Sequence, residues 1–73
     1  MATVTYLVTG MTCEHCVRAV TWELGGLNGV SSVTVNLAAG GISQVTVASD
    51  APLAEHAVAA ALDEAGDYRL ARG

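Results

Sequence analysis

Two segments of helical periodicity each stand between segments of two-residue alternation, and this order constrains the chain more than any other feature. Residues 3–9, Thr-Val-Thr-Tyr-Leu-Val-Thr, are rich in β-branched side chains and alternate in polarity, which predicts a strand. Gly10 breaks it. Residues 14–25 carry Val17, Val20 and Leu24 at helical spacing and predict a helix with one apolar stripe. Glu14 falls in its first turn, where a negative side chain suits the helix dipole. Gly25, Gly26 and Gly29 then release the chain. Residues 30–38 alternate again, with Val33, Val35 and Leu37 on one face and Ser32, Thr34 and Asn36 on the other. Ala39-Gly40-Gly41 predicts a turn, and residues 42–48 the returning strand of a hairpin. Ser49-Asp50-Ala51-Pro52 reads as a helix start, with a capping side chain ahead of a first-turn proline. The second helix is expected over about 52–65, with Ala54, Val58, Ala61, Leu62 and Ala65 on one face and Glu55, His56 and Asp63 turned away. Gly66 ends it, and residues 68–71 predict a short last strand.

The order strand, helix, strand, strand, helix, strand specifies an α+β, ferredoxin-like βαββαβ sandwich. Two helices are expected on one face of a four-stranded antiparallel sheet. A chain of 73 residues has room for one domain, residues 1–73 with a core of about 3–72. Apolar residues make up 52 %, enough to favour folding over disorder. Tyr6, Trp22 and Tyr68 are the only aromatic residues, so the core must come from Val, Leu, Ile and Ala.

The formal charge is −4, and Arg18, Arg69 and Arg72 are the only cationic side chains apart from histidine. No basic face can be assembled to neutralise phosphates or to adhere to an anionic membrane. A partner that docks by charge is expected to be more basic than this chain. No apolar run approaches the ~20 residues of a membrane span, and no signal peptide is visible, so the expectation is a soluble, cytoplasmic protein.

Both cysteines lie in Gly10-Met11-Thr12-Cys13-Glu14-His15-Cys16. A disulfide across so short a loop would add little stability, so their purpose is chemical. Cys13 is expected on the loop and Cys16 in the first helical turn, where both side chains can converge on one atom. Thiolates are soft donors, and copper(I) is a soft cation that accepts ligation by two sulfurs. The unpaired N–H groups and positive dipole end of a helix start favour the thiolate form, lowering a cysteine pKa from ~8.5 to between roughly 3.5 and 7.5. Two ligands on an exposed loop also leave room for a partner's thiolates to enter before the original ones depart.

The run Gly10-Met11-Thr12-Cys13-Glu14-His15-Cys16, followed by Val17, resembles the Gly-Met-Thr-Cys-x-x-Cys signature of the heavy-metal-associated (HMA) domain family. The element order and chain length resemble that family over nearly the whole chain. The resemblance implies a copper(I) chaperone of the bacterial type, with Cys13 and Cys16 as metal ligands and Met11 as a buried support for the loop. It implies a residue after the second helix beside the metal, a position that falls on Tyr68, with Asp67 intervening after Gly66. The implied recipient is a copper-transporting P-type ATPase, with a copper-sensing repressor as another, and a copper-bridged homodimer is a further expectation. No enzymatic activity is expected. The missing lysines depart from the lysine-rich docking faces of several family members.

Other readings stand beside this one. The chain could be an N-terminal metal-binding domain of a copper-transporting P-type ATPase, or a dithiol redox protein, since Cys-x-x-Cys at a strand-to-helix junction also suits thioredoxin-like domains. Structural zinc normally takes four ligands, and the sequence offers two cysteines and two histidines. Zinc or cadmium would call on a further hard donor such as Glu14. His15 is an auxiliary-ligand candidate, but its helical phase places it near Trp22 and in solvent. His56 reads as solvated, Trp22 as exposed, and Arg18 either as a thiolate attractor or as a solvated helix residue. Tyr68 reads either as strand packing or as a cover over the site.

Overall fold

A computed structural model describes residues 2–71. The elements are β1 (Ala2–Thr9), α1 (Glu14–Gly25), β2 (Val30–Asn36), β3 (Ser43–Ser49), α2 (Glu55–Ala65) and β4 (Arg69–Leu70). The strands form one sheet in the order β2-β3-β1-β4, with every neighbouring pair antiparallel. This is the ferredoxin-like arrangement that the periodicities predict.

The two-residue alternation decides which side of the sheet is dry. Tyr6 pairs with Val45 and Val8 with Ser43 across β1 and β3, while Val33 pairs with Val47 and Val35 with Val45 across β2 and β3. These side chains share one face, and Val8, Val45 and Val47 are fully or almost fully buried. Both helices cover that face with Val20, Leu24, Val58, Ala61 and Leu62. Each buried Val, Leu or Met side chain contributes roughly 1.5–3 kcal/mol through lost apolar hydration. The opposite face is polar: Thr5 and Thr46 stand opposite each other with their hydroxyls 3.0 Å apart, and Thr34 lies beside Thr46.

Several expected boundaries move, each for a local reason. β2 stops at Asn36 rather than residue 38, because the Ala38 N–H turns to the buried Ser43 hydroxyl at 3.0 Å. Ile42 lies outside β3 and is 54 % exposed. α2 begins at Glu55, three residues after Pro52. The expected cap does not form: Ser49 is buried and its hydroxyl donates to the Ala51 carbonyl at 2.7 Å, leaving extended Ala54 as the N-cap with no side-chain cap. Leu53 packs against the core in this extended connection, whereas Ala54 is exposed and absent from the buried face of α2. β4 is shorter than expected because Tyr68 turns away toward the loop after β1, although the Ala71 N–H still reaches the Leu7 carbonyl at 2.7 Å. Arg72, the last residue of the expected core, lies outside the described residues.

Candidate metal centre

The loop between β1 and α1 is fixed from below, from the side and from behind. Met11 is completely buried among the core side chains and pins the loop to the domain. Its carbonyl accepts the Gly40 N–H at 3.2 Å, so the β2–β3 turn braces the same point. Gly10 adopts φ +95°, a conformation that L side chains rarely take. A Cβ there would also stand 2.8 Å from the Asp67 carbonyl oxygen. Besides breaking the strand, Gly10 allows close approach of the segment after α2.

That approach places Tyr68 at the cysteines. A Cβ on Gly66 would lie 2.9 Å from the Tyr68 ring, so this second glycine makes room for the aromatic side chain. The Tyr68 hydroxyl faces the Cys16 sulfur closely enough to act on its ionisation. Asp67 does not displace it; the intervening residue is accommodated by the close contact at Gly10.

Cys13 is the N-cap of α1, in extended conformation, and its carbonyl accepts the N–H groups of Cys16 at 3.1 Å and Val17 at 3.3 Å. The first turn of the helix thereby brings Cys16 back over Cys13. The two sulfurs are 4.0 Å apart, both cysteines are free, Cys13 is exposed and Cys16 partly covered. Two thiolates at metal–sulfur bonds of ~2.3 Å can share one ion at that separation without backbone rearrangement.

The Cys16 thiol is held down at about 6, against an ordinary value of 9.0. The largest cause is the Thr12 backbone N–H, 3.5 Å from the sulfur. The Tyr68 hydroxyl, the Cys13 backbone N–H and the Thr12 hydroxyl follow, while burial opposes them. Each donor stabilises the thiolate more than the thiol. The leading donors therefore lie in the loop and on Tyr68, whereas helix-end electrostatics was the cause read from sequence. Tyr68 is pushed up reciprocally to about 12, first because its proton is held by Cys16, then by burial and the negative charge around it.

The remaining sequence candidates stay apart. Glu14, His15, Arg18, His56 and Asp67 are exposed. Among the described residues, no group of three or more His, Cys, Asp or Glu side chains could hold a metal ion. Neither His15 nor Glu14 is gathered with the cysteines into such a group; the loop brings two sulfurs together. Thr12, Gly40 and Gly66 are contributors that sequence reasoning missed. Gly66 carried a signal, a glycine two positions before an aromatic; the sequence set it ahead of Tyr68, and the structure adds that it makes room for the ring. No helix among the described residues is long and apolar enough to cross a membrane.

The family model for the heavy-metal-associated domain matches residues 5–67. The copper chaperone CopZ of Bacillus subtilis is 53 % identical over 47 residues, covering 64 % of this chain and 64 % of that protein. CopZ of Staphylococcus saprophyticus is 50 % identical over 42 residues, covering 58 % of this chain and 62 % of that protein. These matches thus span just under two thirds of the relatives' lengths. A solved CopZ metallochaperone superposes with a TM-score of 0.80 at 32 % identity, covering 96 % of this chain and all of that one. A copper transporter domain from yeast shares the fold at a TM-score of 0.70 and 22 % identity, covering 97 % of each chain. With its family match, its sheet order and its paired sulfurs at the head of α1, the chain belongs to the heavy-metal-associated domain family.

Proposed function

We propose that the chain is a copper(I) chaperone: Cys13 and Cys16 hold one cuprous ion, and partner thiolates remove it by ligand exchange. The observation that carries this reading is the convergence of two sulfurs at 4.0 Å with no group of three metal-binding side chains among the described residues. A soft, low-coordinate donor pair suits a soft monovalent ion, whereas zinc favours four ligands. The similarity to CopZ copper chaperones supports the same metal.

The residues divide the work. The Thr12 N–H and the Tyr68 hydroxyl keep Cys16 available as thiolate near neutral pH, so binding does not have to wait for that proton to leave. Cys13, exposed at the tip, is the sulfur that an incoming ligand reaches more easily. Exchange proceeds through a transiently three-coordinate ion shared with the recipient. Nothing in this scheme requires catalysis of a reaction; the protein acts as a carrier, as one domain, in the cytoplasm. The recipient in this reading is a copper-transporting P-type ATPase, with a copper-sensing repressor and a copper-bridged second copy as further partners.

Anaerobic competition titrations with copper(I) and zinc, against chelators of known affinity, test the assignment. Copper(I) should be retained far more tightly than zinc, and Cys13→Ser or Cys16→Ser should each abolish tight retention. Undiminished copper binding by the double variant would reject the site.

A further inference from the structure

The peptide that joins Met11 to Thr12 is held at both ends. Its carbonyl oxygen accepts the Gly40 N–H at 3.2 Å. Its N–H, which belongs to Thr12, points at the Cys16 sulfur 3.5 Å away. Among the described residues no peptide bond is cis. A trans peptide is planar, with its C=O and N–H directed opposite ways, so a partner that fixes one end also aims the other. The β2–β3 turn thus reaches the metal centre through one rigid plane, although it lies far from Cys16 in sequence.

The turn itself is firmly set. The Gly41 N–H closes onto the Ala38 carbonyl at 2.9 Å, which leaves the Gly40 N–H outside the turn's own hydrogen bond and able to face Met11. Gly40 is the third residue of this turn, and its φ of +74° is what a type II turn requires there. The first residue is tied to the core: the Ala38 N–H donates to the Ser43 hydroxyl at 3.0 Å, and Ser43 is fully buried opposite Val8 of β1. A chain of hydrogen bonds therefore runs from Ser43 through the turn and the Met11–Thr12 peptide to the sulfur. Such bonds polarise one another, so a carbonyl that accepts makes its own peptide N–H a better donor. Met11 is already pinned by its buried side chain, so what the Gly40 contact adds is the orientation of the peptide plane.

We propose that Gly40 is a positioning residue of the metal centre: its N–H turns the Met11–Thr12 peptide so that the Thr12 N–H holds the Cys16 sulfur. The consequence for copper rests on the proposed function; the orientation itself belongs to the metal-free protein. Two thiolates around one monovalent ion carry a net negative charge, and an N–H aimed at one of them favours that loaded form.

The test removes one N–H and nothing else. The 73-residue chain is within reach of chemical synthesis, and glycolic acid in place of Gly40 turns that amide into an ester. Gly40→Ala is the comparison, because it keeps the N–H while straining the turn backbone. In the reduced, metal-free ester the Thr12 amide proton should move upfield and exchange with solvent at least about tenfold faster, the worth of one hydrogen bond to a charged group. The copper(I) dissociation constant is taken against a chelator at about pH 5, where Cys16 of the free site is a thiol and the loaded form gains most from the donor. It should rise about tenfold in the ester. Gly40→Ala should match the wild type in both readouts despite its lower thermal stability. An unmoved Thr12 proton in the folded ester overturns the proposal. So does copper retention that falls as far in Gly40→Ala as in the ester, since a merely structural role would follow stability. Should the ester not fold, Ser43→Ala, which frees the turn at Ala38, must move the Thr12 proton the same way, and an unmoved proton there is equally fatal. A wild type that holds no copper(I) would count against the function, while the Thr12 proton still decides this inference.

Discussion

Replacing Gly10 with alanine should damage both the fold and the chemistry, and Gly40→Ala separates the two effects. Both glycines have positive φ, +95° and +74°. A left-handed L residue costs roughly 1–2 kcal/mol. At Gly40 a new Cβ meets nothing within 4 Å, so the backbone penalty is the whole cost. At Gly10 the Cβ would stand 2.8 Å from the Asp67 carbonyl, and that backbone must retreat by about 0.6 Å to reach ordinary contact. Tyr68 is the next residue and would move with it. The total for Gly10→Ala should be about 2–4 kcal/mol. At ~4–8 °C per kcal/mol for a domain of this size, thermal unfolding should fall by about 10–25 °C in Gly10→Ala and by about 5–15 °C in Gly40→Ala. The second readout is the pH dependence of Cys16 alkylation, followed in a Cys13→Ser background. Gly10→Ala should raise the Cys16 pKa from about 6, since the Tyr68 hydroxyl leaves the sulfur, while Gly40→Ala should leave it in place. If Gly10→Ala proved no more destabilising than Gly40→Ala, and Cys16 titrated as before, the claim that Gly10 positions Tyr68 would be wrong.

Three further outcomes are expected. Tyr68→Phe should also raise the Cys16 pKa, and it should remove the stability that the hydroxyl contributes below pH 10. In the reduced, metal-free protein Cys16 is depressed in the folded state, so unfolding free energy should climb between about pH 6 and 9 and decline as pH falls through about 6; Tyr68, raised to about 12, contributes below pH 10 and is lost as pH rises through 12. Denaturant titrations across that range check both signs, and Cys16→Ser should flatten the climb. Met11→Ala should cost roughly 2–5 kcal/mol by leaving a cavity in the core, whereas Met11→Leu should cost under about 1.5 kcal/mol and keep copper(I) binding, because the thioether packs rather than ligates. Binding lost in a folded Met11→Leu variant would contradict that role.

Periodicity made the fold readable because burial on one face of a sheet leaves a period of two and burial on one face of a helix a period near 3.6. Val33, Val35, Val45 and Val47 therefore revealed the dry side of the hairpin, and Val20, Leu24, Val58 and Leu62 the matching helix stripes. Boundaries were less legible where one side chain had two possible employments. Ser49 looked like a helix cap, but its position at the buried end of β3 commits its hydroxyl to Ala51. At the site, the Cys-x-x-Cys spacing exposed the two sulfurs, since three residues at a helix start are enough to place them together. What tunes them was hidden, because it depends on contacts between residues far apart in sequence. The Tyr68 hydroxyl reaches Cys16 only through the Gly10–Asp67 approach and the space at Gly66. The Gly40 N–H braces Met11 across the turn for the same reason.

The most direct measurement is X-ray absorption at the copper edge of the protein loaded anaerobically with one equivalent of copper(I). A cuprous edge and a first shell made of sulfur are expected, with Cys13→Ser and Cys16→Ser each stripping sulfur from that shell. A first shell of nitrogen or oxygen, unchanged when both cysteines are replaced, would contradict it.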